Sequence, residues 1–447
     1  MSGFSGEGSD EEAAREAQER EKRLRNVFEP NGFQWEGRLG QGANGEVYKV
    51  KKDTQRIAVK LVAKTVFVGT SDKDKDKDKD KDKNDDDDDG DDDDEELQQL
   101  SKEADWLQKL EKCPHIINRI NIPQDPLDKF QYWRKTFANV RKWLYIEFAE
   151  NGTLKEFIEK HEAMNEGPLP NRLLWRFFMC LVRAALEMAY YNIAEVDFSA
   201  AVLLESLAKT PPGPLAHSDF TAVNIVIGDL VPALQSPEHV ISPILKLIDF
   251  GEAEEITDPV ARQARIGRDL NSMKFPVAAS QMNIIEMGRV MTHLLLHDVS
   301  EFGRAVEVTV GGKKISSFCK PIEDRRTALI GDGVDESLVD TVRLCLAENP
   351  TDRPSLTDLA TIVRERVLNR DPGGVLKEGD REIRQLLNRL LFIPIADIHP
   401  KTPSPKSSNP PSSGGGNSGR RRRRDDDDDD DDYAGTEDDR GRKRPRR

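Results

Sequence analysis

The sequence predicts an α+β fold in which a strand-rich first part precedes a larger helical part. Short runs that alternate apolar and polar residues fill positions 33–64, a pattern typical of β-strands. After residue 173, long segments instead place apolar residues at helical spacing. Because strands and helices are segregated along the chain, we expect two lobes.

Composition limits the class of protein. The chain has 447 residues, of which 36% are hydrophobic and 33% charged, so part of it is expected to be disordered. The sequence contains no stretch of about 18 apolar residues, so we expect no membrane span. Residues 1–18 lack the basic and then apolar segments of a secretory signal. The four cysteines form no C-x-x-C pair, which argues against a disulfide framework or zinc site and favours a reducing compartment.

Most of the net charge of −15 belongs to one low-complexity insert. Residues 71–96 contain 17 acidic side chains and 6 lysines. Such a segment repels itself and buries no apolar surface, so we expect an extended loop. Residues 1–32 are expected to be a charged lead-in, either a solvated helix or partly ordered. Beyond residue 401, Pro, Ser, Gly and charge runs predict disorder.

Periodicity places the individual elements. Predicted strands lie at 46–51, 57–62, 144–148, 225–227 and 245–248. Predicted helices lie at 97–110, 173–196, 282–296, 337–346, 356–367 and 382–392. The helices at 173–196 and 282–296 are apolar enough to be buried.

A glycine-rich motif runs into the first predicted strand. Gly40, Gly42, Gly45 and Val47 form G-x-G-x-x-G-x-V. A dinucleotide-binding fold needs such glycines to open a helix, whereas these run into a strand. The pattern therefore favours a flexible hairpin over phosphates, and the alternative is an ordinary glycine turn.

A lysine and a glutamate form the second motif. Ala58 and Lys60 lie at the end of an apolar strand, so the ammonium can point into a cleft. Glu103 shares a helix face with Leu107 and Leu110, which would pack on the sheet. A buried Lys60–Glu103 ion pair would position the lysine. The alternatives are a snorkelling strand lysine and an exposed helix acid.

Two further motifs carry carboxylates. His217, Asp219 and Asn224 form H-x-D-x-x-x-x-N between a long helix and a strand. Asp249 then ends an apolar strand and begins Asp-Phe-Gly. Taken singly, the first is a common spacing and the second could be an Asp-x-Gly turn. Their joint occurrence in this order is improbable by chance.

In this order the motifs resemble those of the protein-kinase family, over roughly residues 33–368. The resemblance implies a bilobal kinase fold, with ATP and Mg²⁺ between the lobes. Lys60 would hold the α- and β-phosphates and pair with Glu103. Asp219 would accept or orient the proton of the substrate hydroxyl. Asn224 and Asp249 would bind Mg²⁺.

The resemblance also implies an adenine site and lobe boundaries. Ile146 resembles the gatekeeper, and backbone groups of Glu147 and Ala149 would bind adenine beside Val47 and Ala58. The N-lobe would span residues 33–149 and the C-lobe 150–370. Residues 371–447 would be a tail with a possible helix at 382–392. Residues 349–355 are similar to the N-P-x-x-R-P-S near the end of kinase domains.

Several positions depart from the family pattern. Ser218 replaces the arginine of H-R-D, which suggests control without a phosphorylated activation loop. Thr221 replaces a lysine that neutralises the γ-phosphate, a loss that typically costs orders of magnitude in rate. Asn283 replaces an aspartate that braces the catalytic loop. No Ala-Pro-Glu occurs between residues 251 and 281, so the partner of Arg353 is unidentified.

These departures leave three functions open. The first is an active serine/threonine-type protein kinase, because the chain keeps the five residues that the family uses at its active site. They are Lys60, Glu103, Asp219, Asn224 and Asp249. The second is a pseudokinase that binds nucleotide and signals by shape. The third is a kinase-fold enzyme that phosphorylates a small molecule, which would suit a degenerate peptide-docking side.

The low-complexity segments suggest location and partners. Basic clusters at 420–424 and 442–447 predict nuclear import, with the cytoplasm as the alternative. The aspartates at 425–432 neutralise them, which argues against nucleic-acid binding. The acidic insert would tune the helix that carries Glu103, bind basic proteins, or do neither. The sequence indicates a protein substrate and no membrane, and leaves the oligomeric state open.

Overall fold

A computed structural model describes residues 7–42, 45–62, 90–129, 142–193, 207–230, 237–266, 275–297, 303–369 and 378–394. Within these ranges the predicted α+β class is confirmed, because a small antiparallel sheet precedes a larger group of helices. No helix in the described ranges combines the length and apolar character needed to cross a membrane.

The sheet has four antiparallel strands in the order β1-β2-β3-β4. They span Phe33–Gly42, Gly45–Lys52, Gln55–Leu61 and Trp143–Glu147. Side chains alternate between the two faces. Ala58 and Ile146, which are paired across β3 and β4, lie in the larger hydrophobic cluster. Their neighbours Val59 and Tyr145 lie in a separate, smaller cluster on the opposite face.

A helix at the N-terminus, α1 (Glu7–Phe28), covers that opposite face. Leu24 and Phe28 are fully buried in the smaller cluster. The Phe28 ring lies 5.2 Å from Phe33 and 6.4 Å from Tyr145, centroid to centroid. The expected solvated lead-in is therefore wrong for the end of α1, because residues four apart share a helix face and bury two large side chains.

Phe28 is expected to contribute strongly to stability. Phe28→Ala should lower the free energy of unfolding by about 3–5 kcal/mol, because a buried aromatic ring leaves a cavity when truncated. Phe392, whose side chain is 68% exposed, provides the control. Chemical denaturation followed by fluorescence measures both variants. Equal, small effects of Phe28→Ala and Phe392→Ala would show that α1 is not packed on the sheet.

The helix that carries Glu103, α2 (Gly90–Lys109), begins earlier than expected. Its first turns consist of acidic residues that the sequence analysis assigned to an extended loop. The helix is anchored by Leu97 and Leu100, which are buried in the larger cluster, so the expectation of an extended loop is wrong for residues 90–96. Residues 71–89 of the insert lie outside the described residues.

The helical part is built around α4 (Asn171–Tyr190), nearly all of whose residues are buried. The other helices are α3 (Leu154–Met164), α5 (Pro259–Ile266), α6 (Ala279–Leu296), α7 (Lys320–Gly331), α8 (Glu336–Cys345), α9 (Leu356–Asn369) and α10 (Asp380–Phe392). Helix α4 packs against α6 and α9. The expected helix at 173–196 thus ends at Tyr190, and residues 194–196 lie outside the described part.

Short strand pairs complete this part. They are β5 (Leu215–Ala216) with β8 (Glu254–Glu255), β6 (Ile225–Leu230) with β7 (Pro243–Leu247), and β9 (Val306–Val310) with β10 (Lys313–Ser317). Residues 115–120 connect β7 to the four-stranded sheet. The N–H of Leu247 donates to the His115 carbonyl at 2.8 Å, and the N–H of Ile120 donates to the Tyr145 carbonyl at 2.8 Å.

Helix α10 belongs with the other helices. Ile383 and Leu387 are buried in the larger cluster. The Glu378 carboxylate accepts from the backbone N–H groups of Asn171 at 2.7 Å and Arg172 at 2.9 Å, which satisfies two donors at the start of α4. The expected boundary at residue 370 therefore does not separate this helix from the helical part.

Candidate active site

A buried ion cluster joins three distant segments. Lys60, near the end of β3, donates from Nζ to Glu103 Oε2 at 2.7 Å and to Asp249 Oδ1 at 2.9 Å. Glu103 lies on α2, and Asp249 directly follows β7. Lys60 is 7% exposed and Glu103 1%. The structure thus brings together three residues that the sequence analysis selected separately.

Charge pairing favours the charged forms of Lys60 and Asp249 despite their burial, whereas at Glu103 burial outweighs the pairing and raises the pKa. Burial opposes the charge of Lys60, but Glu103 and Asp249 outweigh it and raise the pKa of the ammonium. Burial likewise opposes the charge of Asp249, but Lys60 outweighs it and holds the pKa of that carboxyl below its usual value. The two carboxylates thus fix the position of the Lys60 ammonium.

The second pair of predicted residues lies on the loop between β5 and β6. Asn224 Nδ2 donates to Asp219 Oδ2 at 2.6 Å and to the Asp219 carbonyl at 3.0 Å. The N–H of Ile248 donates to the Asn224 carbonyl at 2.9 Å. Since Ile248 precedes Asp249, this bond holds the loop beside the ion cluster.

Asp219 lies in an acidic environment. Burial raises its pKa, the charges of Asp249 and Glu252 add to that effect, and hydrogen bonds from Asn224 and the Thr221 side chain oppose it. A carboxyl with a raised pKa and a fixed orientation is suited to proton transfer. Thr221 therefore helps to orient Asp219, although it supplies no positive charge.

Asn283 of α6 holds the start of the loop that carries Asp219 through two hydrogen bonds. Its Oδ1 accepts from the His217 backbone N–H at 3.0 Å, and its Nδ2 donates to the Leu215 carbonyl at 3.1 Å. His217 Nε2 lies 3.0 Å from the Ile248 carbonyl. Burial lowers the pKa of His217 to about 4, so the ring is neutral. An amide in place of a carboxylate thus supplies both an acceptor and a donor.

Glu286 is a buried carboxyl that the sequence analysis did not select. It lies one turn beyond Asn283 on α6 and accepts from the backbone N–H of Phe220, the neighbour of Asp219. Its Oε2 is buried without a hydrogen-bond partner among the described residues. Burial raises the pKa of Glu286 to about 7. Its helical position alone gave no signal of this role.

This pKa predicts a pH-dependent effect on stability. The folded protein holds the Glu286 proton up to about pH 7, whereas the unfolded chain releases it near 4.5. The folded state therefore loses stability from this group as pH rises between those values. Glu286→Gln stays neutral, so it should stabilise the protein relative to wild type at pH 8, on the order of 2 kcal/mol, with little gain at pH 5.

Thermal unfolding of wild type and Glu286→Gln at both pH values measures the difference. Glu307→Gln, on the exposed side of β9, is the matched control and should show no pH-dependent difference. A difference between wild type and Glu286→Gln that is the same at pH 5 and pH 8 would contradict the prediction.

Arg353 is hydrogen-bonded to backbone carbonyls. Its guanidinium donates to the carbonyls of Ala347 at 2.8 Å, Gln281 at 2.8 Å and Glu348 at 3.3 Å. Burial lowers its pKa to about 10, so it remains charged at neutral pH. The sequence left the partner of Arg353 unidentified, and among the described residues its hydrogen-bond partners are these three carbonyls.

Two non-glycine residues at the site have left-handed backbone angles. Ser218 has φ +66° and Asp249 has φ +64°. Such conformations cost energy and persist where the surroundings fix them, often at functional sites. The Ser218 hydroxyl donates to Glu254 at 3.2 Å, and Arg262 of α5 pairs with the same carboxylate. This pair links the residue before Asp219 to α5.

The glycine-rich motif forms the β1–β2 hairpin. Gly40 lies opposite Val47, and Gly42 lies opposite Gly45. Gly45 has φ +121°, and a Cβ there would lie 2.1 Å from the Leu61 carbonyl oxygen, so only glycine fits. Residues 43 and 44 at the tip lie outside the described residues.

The residues expected around adenine lie on or just after the sheet. Val47 is half-buried and Ala58 is buried, and both contact the larger cluster. Glu147 ends β4, and Ala149 follows half-buried. The Glu147 N–H already donates to the Asn118 carbonyl at 2.9 Å, so that N–H is not free for a base.

A buried polar network unrelated to the predicted motifs lies behind β7. His115, Cys180 and His239 lie within 4.8 Å of one another. His239 Nε2 is 3.3 Å from His115 Nε2, and His115 Nδ1 is 3.0 Å from Glu187 Oε1. Cys180 Sγ lies 4.0 Å from His239 Nδ1, on the far side of that ring. One donor atom of each of the three residues thus lies close to the other two, and contacts of hydrogen-bond type link the side chains.

A scan of the sequence against protein-family models found no match. A search of curated proteins likewise found no matching relative.

Proposed function

We propose that this chain is an ATP- and Mg²⁺-dependent protein kinase with a bilobal kinase fold. It would transfer the γ-phosphoryl group to the hydroxyl of a serine or threonine in a protein. The observation that supports this most is the Lys60 ammonium held between Glu103 and Asp249, beside the Asp219–Asn224 pair. Residues that would bind phosphate, metal and a hydroxyl proton thus lie close together.

The phosphate end of the nucleotide would lie between Lys60 and the β1–β2 hairpin. Lys60 carries the positive charge that the phosphates require, and its two carboxylate partners fix its position. Phosphoryl transfer depends mainly on positioning and on neutralising charge, so a fixed cation is the main requirement. The backbone of the hairpin would cover the phosphates from the other side.

The donor set near Lys60 fits Mg²⁺. Asp249 supplies carboxylate oxygens and Asn224 an amide oxygen, and Mg²⁺ prefers oxygen ligands of these types. Asp249 follows β7, and its left-handed backbone conformation and its burial fix the orientation of its carboxylate. When bound, Mg²⁺ neutralises charge on the phosphate oxygens. The protein's own contribution is to hold these ligands next to the phosphate site.

Asp219 would orient the acceptor hydroxyl and receive its proton. The carboxylate is held by Asn224, and its loop is held by Asn283. Both contacts fix Asp219 before substrate arrives, which lowers the entropy cost of reaching the reactive geometry.

The two alternative functions, a pseudokinase and a small-molecule kinase, are supported by Thr221, which replaces the expected lysine. Among the described residues from Asp219 to Asn224, no Arg or Lys supplies charge for a γ-phosphate. That observation favours a pseudokinase that binds nucleotide without efficient transfer, or an enzyme for which a small-molecule acceptor brings its own positive charge.

Side-by-side transfer assays separate these functions. Radiolabelled ATP and Mg²⁺ would be offered with serine/threonine peptides, generic protein, and small alcohols and amines. Labelled peptide or protein supports the proposal, and labelled small molecules alone support the third function. Nucleotide binding without any transfer supports a pseudokinase. Absence of both binding and transfer contradicts all three.

Location and partners remain predictions from sequence. The basic clusters at 420–424 and 442–447, and residues 71–89 of the acidic insert, lie outside the described residues. Nuclear import would be tested by deleting residues 442–447 in a fluorescent fusion, and an unchanged distribution would contradict it.

A further inference from the structure

The smaller hydrophobic cluster attaches α1 to the outer face of the sheet. Besides Leu24 and Phe28, the helix uses Glu21, which accepts from Trp35 Nε1 of β1 at 3.0 Å. Trp35 in turn packs on Tyr48 of β2, with ring centroids 5.3 Å apart. Helix α1 therefore contacts both strands of the glycine-rich hairpin.

A buried carboxylate makes the most specific contact between α1 and the hairpin. Glu46 is 2% exposed and accepts from Arg20 Nη1 at 2.6 Å, Arg38 Nη2 at 2.9 Å and the Tyr48 hydroxyl at 2.7 Å. A buried carboxylate is costly unless donors of this kind surround it. Arg20 comes from α1, Arg38 from β1 and Tyr48 from β2, so this one group joins all three elements.

Glu46 lies where the hairpin approaches the ion cluster. It directly follows Gly45, which packs against the Leu61 carbonyl, and Leu61 directly follows Lys60. Arg38 also donates to Gln41 at 2.6 Å, which extends the network towards the tip of the hairpin. The position of the hairpin relative to Lys60 is therefore fixed in part by the donors around Glu46.

We propose that Arg20 of α1 is a positioning residue for nucleotide binding, acting through Glu46 on the glycine-rich hairpin. This inference rests on the proposed ATP-binding function. Without Arg20, Glu46 keeps two donors and the fold persists, but Glu46 loses its ion pair with α1. The hairpin then spends less time in the position that covers the phosphates, so ATP affinity falls.

Arg20→Met tests this because methionine keeps much of the apolar stem and removes the charge. The dissociation constant for Mg²⁺–ATP should rise about three- to tenfold, in line with loss of a charged hydrogen bond. If transfer is detected, KM for ATP should rise by the same factor with kcat nearly unchanged. Arg20→Lys, which keeps the charge, should restore part of the affinity.

Arg15→Met is the matched control, since Arg15 lies on the same helix with an 81% exposed side chain and should leave affinity unchanged. Hydrogen exchange separates positioning from loss of the helix. In Arg20→Met without nucleotide, amides of residues 45–48 should exchange faster, while those around Leu24 and Phe28 stay protected.

The outcomes distinguish this inference from the function on which it rests. Wild-type protein that binds no nucleotide would overturn the proposed function and the role of Arg20 with it. Wild type that binds, together with Arg20→Met binding equally tightly, would overturn the inference alone. Loss of protection throughout α1 in Arg20→Met would also overturn it, because the effect would then be structural.

Discussion

Asp219→Asn is expected to lower γ-phosphoryl transfer about 10²–10⁴-fold, the usual contribution of a positioned acid–base group. The amide can neither accept the hydroxyl proton nor carry the charge that orients it. Nucleotide affinity should change little, because Asp219 contacts neither Lys60 nor Glu103 in the described hydrogen bonds. Single-turnover transfer and equilibrium nucleotide binding measure the two effects separately.

Asp53→Asn is the control for this substitution. Asp53 lies in the β2–β3 turn with φ +54°, a conformation that asparagine tolerates well. It should therefore retain full transfer. Transfer by Asp219→Asn at the wild-type rate would show that Asp219 is not the proton acceptor. A parallel loss of nucleotide binding would instead point to a disrupted loop.

Lys60→Met is expected to raise the dissociation constant for Mg²⁺–ATP at least about tenfold, because the phosphates lose a charge-assisted contact. It also leaves Glu103 buried without its cation, which should lower the free energy of unfolding by about 3–5 kcal/mol. Calorimetric titration and chemical denaturation measure the two quantities.

Lys60→Arg keeps the cation and should retain the fold even if Lys60→Met does not, so it allows binding to be tested on folded protein. Lys52→Met is the control, since Lys52 lies over the Phe33 ring, 4.6 Å from its centroid and away from the ion cluster. Nucleotide binding by Lys60→Met and Lys60→Arg that matches wild type would contradict the role of Lys60.

The parts of the fold that sequence could predict are those fixed by local pattern. Period-two alternation placed Ala58 and Lys60 on one face of β3, and helical spacing placed Glu103 on the packed face of α2. These two local rules, applied to separate segments, account for the Lys60–Glu103 contact. The order of the motifs along the chain then suggested that the loops of Asp219 and Asp249 would lie near Lys60 and Glu103.

Features that depend on tertiary contacts could not be predicted in this way. The burial of Phe28 depends on a sheet face formed by residues up to Tyr145, and the charge-rich composition of α1 hid it. Glu286 gains its raised pKa from packing around α6, which no local motif encodes. Glu46 looked like an ordinary strand residue, although its three donors come from separate elements.

The most direct test of the central claim is Mg²⁺-dependent transfer of labelled γ-phosphate by the wild-type chain, with and without a chelator. We expect incorporation into protein or peptide hydroxyls that requires Mg²⁺ and disappears in the chelator. No incorporation into any acceptor, from protein that is folded and binds Mg²⁺–ATP, would contradict the claim that this site transfers phosphate.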